Sequence, residues 1–166
     1  YYRIREQCFR REIGIPGFDG SEDHVDRQGS ILFAHRDGKC IGGSRIGPRP
    51  LNSSNYRVMD LDLDLQPQGC CTWERLALDP EERSLQFARD FCAHLIDASR
   101  ILGYQHAVLV SSLRNARFYR KCHSALGVEF RIHRPAPEFA KGAFAGLEHY
   151  LSVSHVGQSK PLALAA

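Results

Sequence analysis

A strand–helix–strand–helix alternation over residues 73–127 restricts the fold of this chain more than any other feature of its sequence. The second strand, over 107–110, is a continuous apolar run, the pattern of a strand that is covered on both faces. Each helix ends at a glycine, Gly103 or Gly127, where a C-terminal cap belongs. Two strands joined through a helix pair in parallel. The expected strands cover 73–78 and 107–110, and the expected helices cover 83–102 and 113–126.

The segments on either side of this parallel pair predict mostly antiparallel strands. A helix is expected over 2–13, and the strands before residue 73 follow one another without crossover helices. Asp37-Gly38 is a typical centre for a two-residue hairpin. The remaining expected strands cover 30–34, 39–46, 56–65, 128–132 and 147–156. The fold class is therefore α/β (α+β), with a central mixed, mostly antiparallel sheet flanked by helices.

Length and composition predict one globular domain. The chain has 166 residues, of which 43% are apolar and 25% charged. We expect a domain over 1–158 and a loose tail over 159–166. The chain enters a helix almost directly at Tyr1, so we expect an N-terminal piece to precede it. No apolar run approaches the roughly 18–20 residues of a membrane span, and a net charge of +3 is too small to indicate nucleic-acid binding.

The cysteines and histidines point to no metal and no disulfide framework. The six cysteines are scattered without a pair separated by two residues, which is typical of thiols in a reducing compartment. We therefore expect a cytoplasmic protein. The eight histidines have no spacing typical of metal ligands, so no metal cofactor is expected.

Residues 76–88 run from a buried strand through a Pro-containing turn into a helix N-terminus, where unpaired N–H groups favour an anion. This stretch resembles the acyl-thioester-binding loop of the GNAT superfamily. Arg83 and Ala88 match the loop's pattern, whereas Ser84 and Gln86 replace glycines. The resemblance implies a GNAT-like acyl-CoA N-acyltransferase fold, an acyl thioester donor, and oxyanion stabilisation by backbone N–H groups near Ala77 and Leu78. The donor-binding residues it implies are Leu76, Ala77, Leu78, Arg83, Ser84 and Ala88.

The segment from Asn115 to Tyr119 resembles the closing helix of the same superfamily. There the Asn binds the pantetheine arm and the Tyr protonates the departing thiolate. A Tyr hydroxyl suits this task because it is neutral at pH 7 and can donate its proton as charge develops on sulfur. The resemblance therefore implies Asn115 as a further donor-binding residue and Tyr119 as the general acid.

The N-terminal half resembles the acyl-homoserine-lactone synthases and the related N-acyl amino acid synthases. The motifs are the Ile-Arg-Glu-Gln-Cys-Phe run, the acidic stretch from Glu22 to Asp26, the Gly-Gly-Ser-Arg run before Pro48, and Arg-Leu-Ala-Leu-Asp ending at Asp79. The resemblance implies that these residues form the acceptor side of the cleft, and that an acyl carrier protein delivers the donor. The implied acceptor-binding residues are Arg5, Phe9, Arg45 and Arg75, and the candidate bases are Glu74, Asp23 and Asp26.

Two departures favour the N-acyl amino acid synthases over the lactone synthases. Thr72 stands where the lactone synthases carry Glu, with Glu74 as the nearest carboxylate, and Ile15-Pro16 stands where a Trp is common. For Arg5 and Arg45 the sequence leaves two roles open: they bind the acceptor's carboxylate, or they pair with the acidic residues.

A basic helix face supports a carrier protein as partner. Arg114, Arg117 and Lys121 share one face of the second expected helix, where they would attract an acidic protein. The sequence thus predicts transfer of a long acyl chain to an amino acid. Three alternatives stay open: a lactone synthase, an acetyl-CoA-dependent N-acetyltransferase of small amines, and an inactive domain that senses acyl thioesters or amino acids.

Overall fold

A computed structural model describes residues 1–48 and 69–159. The expected strand over 56–65, and the expected tail from residue 160 onward, lie outside these ranges. The helices are α1 (Tyr2–Gln7), which continues into a π-helical turn (Cys8–Glu12), α2 (Leu85–Ile101) and α3 (Leu113–Ala125), with short 3₁₀ turns at Pro137–Phe139 and Gly142–Phe144. The strands are β1 (Ser30–Arg36), β2 (Lys39–Pro48), β3 (Cys70–Leu78), β4 (His106–Ser111), β5 (Val128–Pro135) and β6 (Tyr150–Ser159).

The described strands form one six-stranded sheet in the order β1-β2-β3-β4-β6-β5. Only β3 and β4 pair in parallel, and every other neighbouring pair is antiparallel. The predicted mixed, mostly antiparallel sheet is confirmed. Strand β6 lies between β4 and β5, so β5 is an edge strand and the last described strand pairs with both of them.

Local signals fix several element boundaries. Asp37 and Gly38 both have positive φ, 50° and 75°, as a tight hairpin between β1 and β2 requires. Helix α2 begins at Leu85 rather than at 83 because the Ser84 hydroxyl caps it, accepting a hydrogen bond from the Phe87 N–H at 3.0 Å. Strand β6 begins at Tyr150, three residues later than expected, because residues 147–149 are irregular and follow the 3₁₀ turn at Gly142–Phe144.

The two faces of the sheet carry different layers. Helices α2 and α3 pack on one face, where they bury Leu95 and Tyr119 against Trp73 and Leu109. On the other face, α1 and its π-helical turn pack against Ala77, and the chain after β5 buries Ala136 against β4 and β6. In the described ranges, no helix combines the length and apolar character that a membrane crossing requires.

His123 lies in the centre of the helical face with no solvent exposure. Its Nδ1 contacts the Tyr119 carbonyl oxygen at 2.7 Å, so Nδ1 carries the hydrogen, and its Nε2 accepts from the Ser154 hydroxyl at 2.8 Å. Burial lowers the pKa of His123 from 6.5 to about 4. Between about pH 4 and pH 6.5 the imidazole is therefore neutral in the folded protein and protonated in the unfolded chain.

We expect His123 to make stability fall as the pH falls. Between about pH 6.5 and about pH 4 the unfolded chain binds a proton at this side chain that the folded protein does not, which lowers the free energy of unfolding by about 1.4 kcal/mol per pH unit. The measurement is urea denaturation of the wild type and His123→Gln across this range. The wild type should lose stability more steeply than the variant, and equal slopes would contradict the prediction.

Candidate functional site

Strands β3 and β4 separate after four residue pairs, which leaves an opening within the sheet. Cys70–Trp73 pair with residues 106–109 of β4, after which β3 stays with β2 and β4 stays with β6. A β-bulge produces the separation: Gly43 pairs with Ala77 but Arg45 pairs with Glu74, so β3 has an extra residue.

The bulge also reverses the alternation of side chains along β3. Trp73 packs on the helical face, whereas Ala77, four residues later, packs on the α1 face. A regular strand would place both on the same side. Arg75, at the bulge, has a φ of 57°, in the left-handed region that non-glycine residues rarely adopt.

A cavity of about 490 Å³ occupies the opening and is bordered by both faces of the sheet. The α3 side contributes the end of β4, Asn115 and Tyr119. The other side contributes Phe9, the bulge of β3, and the chain after β5. The residues that line it are Phe9, Ile13, Ser44, Thr72, Trp73, Glu74, Arg75, Leu76, Val108, Leu109, Val110, Ser111, Ser112, Asn115, Tyr119, Phe139, Phe144, Leu147, Glu148 and His149.

Tyr119 borders the cavity as a protonated phenol. It is 7% exposed, and its ring lies 6.2 Å from that of Phe130. Burial raises the pKa of Tyr119 above its ordinary value of 10, so the hydroxyl stays protonated at neutral pH. Within the described ranges the hydroxyl has no hydrogen-bond partner. One turn earlier, Asn115 is held by the Ser112 cap, whose hydroxyl accepts from the Asn115 N–H at 3.3 Å.

An ionic cluster of Arg5, Asp23, Asp26, Arg45 and Glu74 lies behind the cavity wall that carries Glu74. Arg5 donates through Nη1 to both oxygens of Asp26 at 2.9 Å, and Arg45 Nη1 donates to Asp26 at 2.9 Å and to Asp23 at 2.8 Å. Arg45 also donates through Nε to Glu74 at 3.1 Å, and its Nη2 contacts the same oxygen. The two arginines, 1% and 2% exposed, are therefore bound by carboxylates of the protein.

Within this cluster only Glu74 lines the cavity. Burial opposes ionisation of Asp23, but hydrogen bonds from the Asp26 N–H and from Arg45 outweigh it and lower the pKa of Asp23, which makes it a weaker base. The structure thus brings Phe9, Glu74 and Arg75 to the cavity wall. It places Arg5, Asp23, Asp26 and Arg45 behind that wall.

Arg75 lines the cavity, and its guanidinium group packs among aromatic rings. Its guanidinium carbon lies 5.5, 5.0 and 5.3 Å from the ring centres of Phe9, Phe18 and Phe144, which is cation–π distance. No carboxylate of the described residues forms an ion pair with it. Burial lowers the pKa of Arg75, but a guanidinium remains charged at neutral pH. Its donors are therefore available to an anion in the cavity.

The expected donor-binding residues divide into two groups. Leu76 and Asn115 line the cavity, whereas the loop residues at the start of α2 do not. Arg83 donates to Glu12 of the π-helical turn at 3.0 Å, and Ser84 caps α2. Ala77 and Leu78 pair with Gly43 and Gly42 of β2, and Ala88 lies one turn inside α2. Their role in oxyanion or donor binding stays a prediction.

Sequence reasoning missed the part of the cavity wall that follows β5. Phe139 and Phe144 line the cavity from a segment without helical or strand periodicity. Leu147 and His149 line it from the start of the expected strand over 147–156, which in the structure precedes β6. The only signal in the sequence is a cluster of aromatic and apolar residues inside a Pro- and Gly-rich loop. No set of three or more His, Cys, Asp or Glu side chains in the described ranges could hold a metal ion.

The chain matches one protein-family model and is similar in structure to several known proteins. The family model described as "Acetyltransferase (GNAT) family" matches residues 1–123. The CoA-dependent acyl-homoserine lactone synthase MesI superposes with a TM-score of 0.64 at 19% identity, covering 94% of this chain and 79% of MesI. The lactone synthase LasI gives 0.65 at 16% identity, covering 93% and 80%.

An acyl-CoA N-acyltransferase from Pseudomonas aeruginosa gives a TM-score of 0.56 at 14% identity, covering 92% of this chain and 86% of that one. A comparison with curated proteins found no match. The family match spans α1 to α3, and therefore includes the bulged strand, the opening beside it, and Tyr119. This chain belongs to the acetyltransferase (GNAT) family and is an acyltransferase.

Proposed function

We propose that this protein is an N-acyltransferase that moves an acyl group from the thioester of an acyl carrier protein to the amino group of an amino acid. The observation that carries the proposal is Arg75, a cation in the cavity wall without a carboxylate partner in the described residues. The α-carboxylate of an amino acid would supply that partner through two parallel, charge-assisted hydrogen bonds. Glu74, on the same wall, supplies a negative charge that attracts the ammonium group.

The α3 side of the cavity suits the thioester. Asn115 offers an amide to the pantetheine arm, and Tyr119 offers a proton to the sulfur. The amine nitrogen attacks the thioester carbonyl, the C–S bond breaks as the tetrahedral intermediate collapses, and the Tyr119 hydroxyl protonates the leaving thiolate. Val108 and Val110, on β4, give the cavity an apolar wall for the acyl chain.

A carrier protein fits the donor side better than a nucleotide does. A complete pyrophosphate cradle needs glycines and a free cation, but positions 84 and 86 are Ser and Gln, and Arg83 is bound to Glu12. The phosphopantetheine of a carrier protein has no pyrophosphate-linked nucleotide. Arg114, Arg117 and Lys121 are exposed along α3, where they would attract an acidic carrier protein.

A lactone synthase is the second candidate, because MesI and LasI share this fold over most of the chain. Thr72 at the position of the lactone synthases' Glu opposes it. Purified protein incubated with acyl-carrier-protein or acyl-CoA and a mixture of amino acids, followed by mass spectrometry, tests both candidates. N-acyl amino acids support the proposal, an acyl lactone from S-adenosylmethionine supports the second candidate, and neither product would overturn both.

We expect Arg75→Met to abolish the preference for acceptors that carry a carboxylate. A hydrogen-bonded charged group contributes about 1.5–3 kcal/mol, so the wild type should use an amino acid about 10- to 100-fold better than its amide, measured as kcat/KM. The variant should use both at similar rates. The control is Arg36→Met, on β1, which removes a cation whose partner is Glu82 at the surface. A retained preference in Arg75→Met would show that Arg75 does not bind the acceptor.

A further inference from the structure

We propose that His149 is the general base that deprotonates the acceptor amine. The proposal rests on the N-acyltransferase function proposed above. An amino acid reaches the cavity as an ammonium ion, which cannot attack a carbonyl until it loses a proton. His149 lines the cavity from the segment that precedes β6, next to the wall that carries Arg75.

The backbone holds His149 in place. The Ala136 N–H donates to the His149 carbonyl oxygen at 2.8 Å, which joins the two ends of the segment between β5 and β6. The imidazole also packs edge-on against Phe144, with ring centres 6.2 Å apart. A half-buried imidazole fixed by its own backbone and by a neighbouring ring has few orientations available.

A hydrogen bond within the segment fixes the tautomer of His149. Nδ1 lies 2.9 Å from the Leu147 carbonyl oxygen, and because a carbonyl only accepts, Nδ1 must carry the hydrogen. The lone pair of the neutral imidazole is then on Nε2. In the described part of the chain Nε2 makes no hydrogen bond, so it can accept a proton from a bound molecule.

The other titratable groups of the described cavity wall are poorly suited to this task. Glu74 accepts hydrogen bonds from Arg45, and Arg75 is itself a cation. Tyr119 is a protonated phenol. Glu148 points to the surface, where it accepts from the Tyr150 hydroxyl at 2.9 Å.

Phe144 lies next to both His149 and Arg75, the proposed carboxylate-binding residue. The same phenyl ring has the Arg75 guanidinium carbon 5.3 Å from its centre and the His149 ring 6.2 Å from its centre. An amino acid whose carboxylate binds Arg75 would therefore present its amino group to a region that His149 borders.

Each proton that leaves the ammonium nitrogen has an acceptor. Nε2 of His149 takes one proton from the ammonium group and becomes an imidazolium, which later releases that proton to solvent. The neutral amine attacks the thioester carbonyl and forms the C–N bond. As the C–S bond breaks, Tyr119 protonates the sulfur, and the second proton lost by the nitrogen restores Tyr119 through solvent.

His149→Asn tests the role, because the Asn amide can keep the hydrogen bond to the Leu147 carbonyl while it lacks the Nε2 lone pair. We expect kcat/KM to fall about 10²- to 10⁴-fold. A decline of wild-type activity in acid should be absent from the variant's pH profile. Added imidazole should restore part of the activity of His149→Ala. His35→Asn, at an exposed position on β1, is the matched control.

The outcomes separate this role from the proposed function. If the wild type forms N-acyl amino acids and His149→Asn keeps both its rate and its acid decline, His149 only shapes the cavity and the proposal is overturned. Loss of activity without rescue of His149→Ala by imidazole would likewise assign it a structural role. If the wild type forms no N-acyl product, the proposed function itself fails, and the role of His149 fails with it.

Discussion

Tyr119→Phe should lower the rate of acyl transfer about 10²- to 10⁴-fold, the range expected when a general acid is removed. A thiolate leaves the tetrahedral intermediate more easily when a proton reaches the sulfur as the C–S bond breaks. The Tyr119 hydroxyl has no hydrogen-bond partner among the described residues, so its removal should cost the fold little. Release of the free thiol, followed over time with saturating donor and acceptor, measures the effect.

The substitution should lower kcat and should leave donor binding largely unchanged. The KM for the donor should change little, because the ring that packs near Phe130 is kept. Tyr104→Phe removes a phenol hydroxyl from a tyrosine at the edge of the same core and should leave the rate unchanged. Wild-type turnover in Tyr119→Phe would exclude Tyr119 as the acid, and would leave solvent to protonate the thiolate.

Asp26→Asn should lower the free energy of unfolding by about 3–5 kcal/mol, the cost of leaving a buried charge without its partner. Asp26 accepts hydrogen bonds from both Arg5 and Arg45, and its side chain is fully buried. An amide in its place keeps the shape but removes the negative charge between two guanidinium groups. Urea denaturation at neutral pH measures the change.

A matched substitution separates burial from charge. Asp97→Asn removes a carboxylate from a surface pair with Arg100 and should change stability by less than about 1 kcal/mol. Arg5→Met combined with Asp26→Asn should recover part of the loss, because it removes the cation as well. If Asp26→Asn were as stable as the wild type, the ionic cluster would contribute nothing to folding.

The fold was predictable from the sequence wherever a local signal determined the structure. Asp37-Gly38 adopts the positive φ values that its hairpin needs, and the helices of the centre end beside Gly103 and Gly127. The parallel pairing of β3 with β4 follows from the helix between them. By contrast, the insertion of β6 between β4 and β5 joins residues that are distant in sequence, and no local pattern encodes it.

The site was predictable in its residue types more than in their contacts. The sequence indicated Phe9, Glu74, Arg75, Asn115 and Tyr119, and all five line the cavity. It could not decide whether the two buried arginines contact a ligand or a carboxylate of the protein, since both roles use the same residue types. The structure shows the second arrangement.

Two features of the site have no local sequence signal. The bulge at Arg75 places an arginine at positive φ, which residue preferences alone would argue against. The wall that contains Phe144 and His149 is irregular, although the sequence predicted a strand from residue 147, and its tertiary contacts bring it to the cavity. Periodicity reports regular elements, so a wall built from turns escapes it.

The opening between β3 and β4 has a consequence for how this site can diversify. The backbone creates it, through one extra residue in β3, so the opening does not depend on which side chains line it. Its walls come from chain segments that are separate in sequence, α3 on one side and the segment after β5 on the other. Substitutions in one wall can therefore alter the molecule that it receives while the other wall keeps its own ligand. With the donor on the α3 wall and the acceptor on the opposite wall, as proposed above, donor preference and acceptor preference can evolve independently of each other.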